Sequence, residues 1–351
     1  MLAPPSMQDL AAELGLSRLT VSSVVNGRAR RLGISTATVA RVTEHLQQRG
    51  YVPSRSAVAL QSGARERIGI LCAGPLYSHL TEAFNRFTGA FHASPKGLEI
   101  AIVPHADLVR GFQELLGRGV SRLLWIQSRT AREEFADPRL FPYARHLRTV
   151  VYNFYFEAGD AADELIRKGF HLIGVERLKG YAQLGRALKG LGHAVVALPD
   201  RTPEPERVEV RAAGLRQAGL QVRFSCPPGV STGSRPRYIQ AMADGLERVM
   251  RQERVTAAVF HDDELAALTL TELLRRGVRV PEELSVTGFD GLPLAEAFRV
   301  PLTTLRIPIA RMVGLAQRLL EKSEAPRRHC LPLELVLGGS HGKARHVVRS
   351  S

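Results

Sequence analysis

The 351-residue chain contains no run of about 18 apolar residues, so no membrane-spanning helix is expected. Its three cysteines, Cys72, Cys226 and Cys330, are scattered and show no metal-type spacing. They speak against a zinc motif or a disulfide framework, and suit a reducing cytoplasm in which they pack as small hydrophobes. Phosphate-cradling glycine loops and nucleophile elbows are missing as well. The best catalytic-looking cluster is His261-Asp262-Asp263-Glu264. It falls at a strand-to-helix corner, where successive side chains diverge and cannot all meet one atom. Neither an enzyme nor a cofactor or metal site is therefore expected. The opening MLAPPSMQDL lacks a basic stretch followed by an apolar core, so it does not read as a signal peptide.

Lysine is absent from residues 1–67, and acids are scarce there. That stretch holds nine arginines (18, 28, 30, 31, 41, 49, 55, 65 and 67) against Asp9, Glu13, Glu44 and Glu66, a net +5. The whole chain is +14, so the other 284 residues carry +9 at less than half that density. A basic end on a milder body suits a polyanion-binding head, because neutralising phosphates releases counterions.

Within this end, Ser6 with Asp9 forms a capping-box start, and Met7, Leu10, Ala11 and Leu14 recur at helical spacing until Gly15. Ser17 then caps a second helix over SRLTVSSVVN. Placed about 100° apart, its residues sort into two arcs. Thr20, Val21, Val24 and Val25 form the inner one; Arg18, Leu19, Ser22, Ser23 and Asn26 form the outer one. A guanidinium, hydroxyls, an amide and one apolar tip suit base edges in a major groove. A third helix starts at Ser35, carries Val39, Val42 and Leu46 inward, and stops at Gly50. Helix, glycine turn, helix is the helix-turn-helix layout.

Beyond about residue 64, strand-like and helix-like stretches alternate. Strands are expected near 68–73, 98–104, 121–127, 148–152, 171–175, 193–198, 221–224, 256–261, 283–289, 302–306 and 331–337. Helices fit gaps such as 107–118, 158–168, 235–252 and 263–276. This implies parallel sheets covered on both faces, with too many strands for one sheet and hence two lobes. Ligands of such lobes bind at the carboxyl ends of strands. Tyr77 and Trp125, both near strand ends, are candidate aromatic platforms for the apolar face of such a ligand. Asp263 and Glu264 read as helix N-terminal charges favoured by the macrodipole.

The run DLAAELGLSRLTVSSVVNG … STATVARVTEHLQQRGYVPSRSAVALQSG resembles the DNA-binding head of the LacI/GalR (lactose repressor) family. VVYNFYFEAGDAADELIRKGFHLIGV and AAVFHDDELAALTLTELLRRGVRVPEELSVTGFDG … PLTTLRIP resemble segments of that family's body. The resemblance implies an all-α helix-turn-helix head at 1–53, a hinge at 54–63, and a two-lobed α/β body at 64–345 like periplasmic sugar-binding proteins. The expected lobes are about 64–152 with 305–324, and about 153–304 with 325–345. It implies a cytoplasmic, homodimeric regulator, commonly a repressor, that binds double-stranded, pseudo-palindromic operator DNA and answers to a small sugar-like effector. The alternative is a periplasmic-type solute-binding protein without a DNA role; the basic head argues against it.

By that resemblance Ser17, Arg18, Leu19, Ser22, Ser23 and Asn26 address the groove. Arg55, Ala57 and Leu60 match the hinge, with Leu60 as a minor-groove wedge. Two departures stand out. The loop Gly27–Gly33 is about three residues longer than usual and carries Arg28, Arg30 and Arg31, expected along the phosphates. Ser23 stands where an arginine is common. In the body, Asn153, Arg177, Asp262 and Asp290 match effector-contacting positions, where carboxylates and amides hold hydroxyls by paired hydrogen bonds. The loop that usually precedes the arginine is missing, because Val175 runs almost directly into Glu176-Arg177.

Overall fold

The computed structural model describes residues 5–51, 67–74, 76, 78–92, 97–127, 137–153, 160–199, 205–225 and 235–344. The head is three helices, α1 (Met7–Leu14), α2 (Arg18–Val25) and α3 (Thr36–Arg49), with a one-turn 3-10 helix at Ala29–Leu32 between the last two. Each start is set by a serine: Ser6, Ser17 and Ser35 accept from the backbone N–H three residues on. Ser6 and Asp9 complete the capping box in both directions. Gly15 at φ 63° turns the chain into α2, in the left-handed region that glycine enters without a Cβ clash. The core is small: Leu10, Val21 and Val42 are fully buried, with Met7, Leu14, Val24, Val25 and Leu46 around them.

The body alternates as expected: β1 (Arg67–Ala73), α4 (Ser78–His92), β2 (Leu98–Val103), α5 (Leu108–Gly117), β3 (Val120–Gln127), α6 (Phe141–Ala144), β4 (Arg148–Tyr152), α7 (Asp160–Arg167) and β5 (His171–Val175). Then follow α8 (Arg177–Gly190), β6 (Val195–Leu198), α9 (Pro205–Gln217), β7 (Gln221–Phe224), α10 (Arg235–Glu253), β8 (Ala257–Val259), α11 (Asp263–Arg275) and β9 (Ser285–Asp290). The chain ends with α12 (Pro293–Ala297), β10 (Thr303–Arg306), α13 (Ile309–Glu321), β11 (Arg328–Leu331) and β12 (Glu334–Val336). Two six-stranded sheets result, in the orders β11-β5-β4-β3-β1-β2 and β12-β10-β9-β8-β6-β7. Central strands such as β1, β5 and β9 are buried along nearly every residue, as sheets clad on both faces require.

Three details differ from the expectation. The second sheet is not wholly parallel, since β12 runs antiparallel to β10. The single strand expected at 331–337 is two strands in different sheets, β11 in the first and β12 in the second. Pro332 lies between them, and a residue without an N–H interrupts a ladder. The lobe division also moves. β5 pairs with β4, placing His171 beside Val150 and Ile173 beside Tyr152, so the first sheet runs past the expected boundary at 153. One compact unit comprises Met1–Gly174 with Ala310–His329, the other Val175–Ile309 with Cys330–Ser351. Among the described residues no helix is long and apolar enough to cross a membrane.

Candidate functional site

Two places gather polar side chains at positions the fold prepares for them. The first is the outer face of α2. Arg18 and Leu19 are exposed, Leu19 by 71%. Ser22 is half-buried and Asn26 exposed. The Asn26 amide donates to Ser22 O at 2.8 Å and to Ser22 Oγ at 3.2 Å, which holds it along the helix end. Ser17 spends its hydroxyl on the cap, accepting from Thr20 N–H at 3.0 Å.

Ser23 is not on this face. It is 4% exposed, and its hydroxyl donates to Leu19 O at 2.7 Å. The reason lies in the long loop. Arg28 N–H donates to Ser23 O at 2.7 Å and Ala29 is buried, so the 3-10 turn folds back onto the end of α2. Gly27 and Gly33, at φ 68° and 65°, bound that turn. Arg28, Arg30 and Arg31 project from it, all exposed. Among the described residues no carboxylate pairs with these three or with Arg18. The head's acids are engaged elsewhere: Asp9 with Ser6, Glu13 with His45 and Arg49, Glu44 with Gln48. The cations around α2 are thus left unneutralised. Arg55, Ala57 and Leu60 lie outside the described residues.

The second place is in the second unit, at the carboxyl ends of β8, β9 and β10. Asp262 caps α11, accepting from Leu265 N–H at 2.6 Å, while its other oxygen lies 3.0 Å from His261 Nε2. Asp290 ends β9 at φ 109° and is 5% exposed. Arg177 opens α8, nearly buried, with its guanidinium 5.5 Å from the centre of the Phe289 ring. Tyr181, one turn along, stacks on the same ring at 5.5 Å. Arg177, Tyr181 and Phe289 thus adjoin one another, and Asp290 follows Phe289 at the end of β9.

Asp263 is the residue that sequence reasoning missed. It is not merely a helix N-terminal charge: it is fully buried, accepting from Thr304 Oγ at 2.6 Å and from Leu292 N–H at 2.8 Å. Gly288 makes room for it, since a Cβ there would lie 2.2 Å from Asp263 Oδ1. It therefore ties the turn after Asp290 to α11 and β10. Burial, and to a lesser degree the nearby Asp290, push its carboxyl up to about 7. A partial signal existed in the sequence: an acid inside the apolar frame of AAVFHDDELAA, followed by a glycine on the neighbouring strand. Glu264, by contrast, pairs with Arg235 at 2.6 Å.

The first unit supplies less. Asn153 sits at the end of β4 with φ 68°, and its amide donates to Gln127 O at 3.0 Å, joining the ends of β3 and β4. Trp125 is no ligand platform. It is fully buried, edge-on to Phe112 at 5.6 Å and to Phe170 at 6.4 Å, with Nε1–H donating to Gln127 Oε1. An indole whose N–H is satisfied inside the core is a packing residue. Tyr77 lies outside the described residues.

Residues 185–341 match the periplasmic binding protein-like domain. Over 321 residues the chain is 26% identical to the HTH-type transcriptional regulator GntR of Pseudomonas aeruginosa, covering 87% of this chain and 84% of that one. It is 25% identical to the ribose operon repressor of Escherichia coli over 325 residues, 89% of this chain and 90% of the other. The fold is similar to that of the lac repressor dimer bound to operator and an anti-inducer, with TM-score 0.60, 18% identity, and coverage of 97% and 99%. These likenesses run through head and body in one order, on helices and sheets already described. The chain is thus similar along nearly its whole length to helix-turn-helix transcription regulators of the LacI/GalR type, and its fold is lac repressor-like.

Proposed function

We propose that the protein is a cytoplasmic, homodimeric repressor that binds a pseudo-palindromic operator and is controlled by a small sugar-like effector. The observation that carries this is the outer face of α2, with Arg18, Leu19, Ser22 and Asn26 presented outward, and with Arg18 and the neighbouring Arg28, Arg30 and Arg31 free of ion pairs among the described residues. In this reading Arg18 forks onto a guanine and Leu19 touches a thymine methyl. Arg28, Arg30 and Arg31 hold phosphates from the turn beside them. Ser23, buried and bonded to its own helix, takes no part. Arg55, Ala57 and Leu60 keep the hinge role that the family resemblance implies.

A two-fold dimer brings two such helices to two half-sites. Ile100 and Ile102, 37% and 63% exposed on the edge strand β2, supply apolar surface of the kind a second copy covers. The effector binds in the second unit, at Arg177, Asp262 and Asp290. Carboxylates and a guanidinium pair with sugar hydroxyls. The family resemblance and the name of the ribose operon repressor support a sugar.

Selection of bound fragments from random duplexes, with and without a panel of mono- and disaccharides, tests this. An inverted repeat should be enriched, and one sugar should change its retention. If no sequence is enriched, the reading fails.

A further inference from the structure

The carboxyl end of α3 is not left to solvent. The last carbonyls of a helix have no partner within it, and here two side chains just past α6 take them. Arg145 donates from a terminal guanidinium nitrogen to Gln48 O at 3.1 Å, and His146 Nε2 donates to Arg49 O at 2.9 Å. His146 is 6% exposed, so the contact is built in rather than incidental. A guanidinium at this position also complements the negative end of the helix dipole. The next residue, Gly50, is buried at φ 61° against α6. A Cβ at Gly50 would lie 1.9 Å from Pro142 O and 2.2 Å from Pro142 C, backbone atoms that cannot swing aside.

What holds α3 holds the rest of the head. Arg49 and His45 on α3 both reach Glu13 of α1, each at 2.7 Å. Arg41 donates to Leu14 O at 2.9 Å, at the end of α1. Val42 shares its fully buried core with Val21 of α2. Head and first lobe accordingly form one compact unit.

We propose that this seam is a latch between the head and its own first lobe, through which a displacement of residues 141–146 tilts α2. It is a route from body to head separate from the connecting chain at 52–66. The partner it fits is a segment of the same polypeptide: the α3 carboxyl end on one side, the Pro142–His146 backbone and its two donors on the other. The regulatory meaning of the latch rests on the DNA-reading role of α2; the contact itself does not.

Amide hydrogen exchange on the full-length protein, without DNA, tests the contact. The variant carrying Arg145→Ala and His146→Ala leaves the head's own sequence intact. It should lose protection together at 46–51 and at 141–147, by about tenfold or more, while amides at the α1–α2 turn keep theirs. Arg145→Ala alone removes only a half-buried side chain and guards against general misfolding; it should show the same pattern more weakly. Unchanged exchange at 46–51 in both variants overturns the latch. A second arm measures affinity for a duplex selected by the intact protein. The double variant should differ by about fivefold or more; equal affinity, with the contact shown to be open, means the seam transmits nothing and also overturns it. Should the intact protein select no duplex, the DNA-binding reading falls, and the exchange result still decides the contact.

Discussion

The outer face of α2 and the carboxylate cluster of the second unit are both polar, yet they are polar in opposite ways. Around α2 the charges are exposed and unpaired among the described residues, and the acids that could neutralise them are bound elsewhere in the head. At the strand ends, Asp262, Asp263 and Asp290 are partly or wholly withdrawn from solvent, and the first two already accept hydrogen bonds from the fold. The first surface suits a large, rigid polyanion that brings its own complementary charge. The second suits a small neutral ligand, whose hydroxyls meet side chains fixed before it arrives. On the proposed reading, one protein thus keeps a surface site and a preorganised site.

The comparison breaks most plainly if the head and the body cannot be separated energetically. Val21→Asp puts a charge into a core of three fully buried residues. It should cost about 4 kcal/mol or more, unfold the head and abolish duplex binding, while calorimetry still records the melting of the two sheets. Loss of all cooperative unfolding would contradict this.

Next in size is the proton linkage at Asp263. Unfolded, its carboxyl ionises near 3.8; folded, burial above all pushes it up to about 7. The folded state therefore holds an extra proton across that window, and stability falls as pH rises from the lower value through the higher. The loss should be roughly 2–4 kcal/mol. Urea titrations at acidic and mildly alkaline pH measure it, and Asp263→Asn should flatten the profile.

Arg18→Ala sharpens the other side. It should cost ~1–3 kcal/mol at one base position and leave preference elsewhere intact. Equal weakening on all duplexes would make Arg18 a phosphate contact. The smallest effect is expected from Ser23→Ala. Its hydroxyl is bonded to Leu19 O and buried, so base preference should be unchanged and duplex affinity should move by less than about 0.5 kcal/mol. A shift in the selected sequence would return Ser23 to the groove.

The same contrast explains what could be read from the chain alone. Caps and periodicity are local, so Ser6, Ser17 and Ser35, the valines of α2 and the strands up to β10 were all legible. Ser23 was misplaced because helical spacing knows nothing of a later turn; Arg28 and Ala29 fold back over it. Trp125 was misplaced because nearness to a strand end does not say which sheet face a side chain takes, and Phe112 and Phe170 cover that face. Asp263 went unrecognised because its partners, Leu292 and Thr304, are 29 and 41 residues away. The split of the last strand turned on Pro332, whose effect on pairing depends on which sheet lies on either side. The residues that make the head polar are near neighbours in sequence; those that make the second site are gathered by topology.

The most direct measurement is equilibrium binding of the intact protein to its selected duplex and to a scrambled duplex of equal length and composition, over a range of salt. Both affinities should fall with log–log slopes near −0.9 per phosphate contacted, and the preference for the selected duplex should persist throughout. Equal affinity for the two at every salt concentration would contradict a groove-reading role for α2.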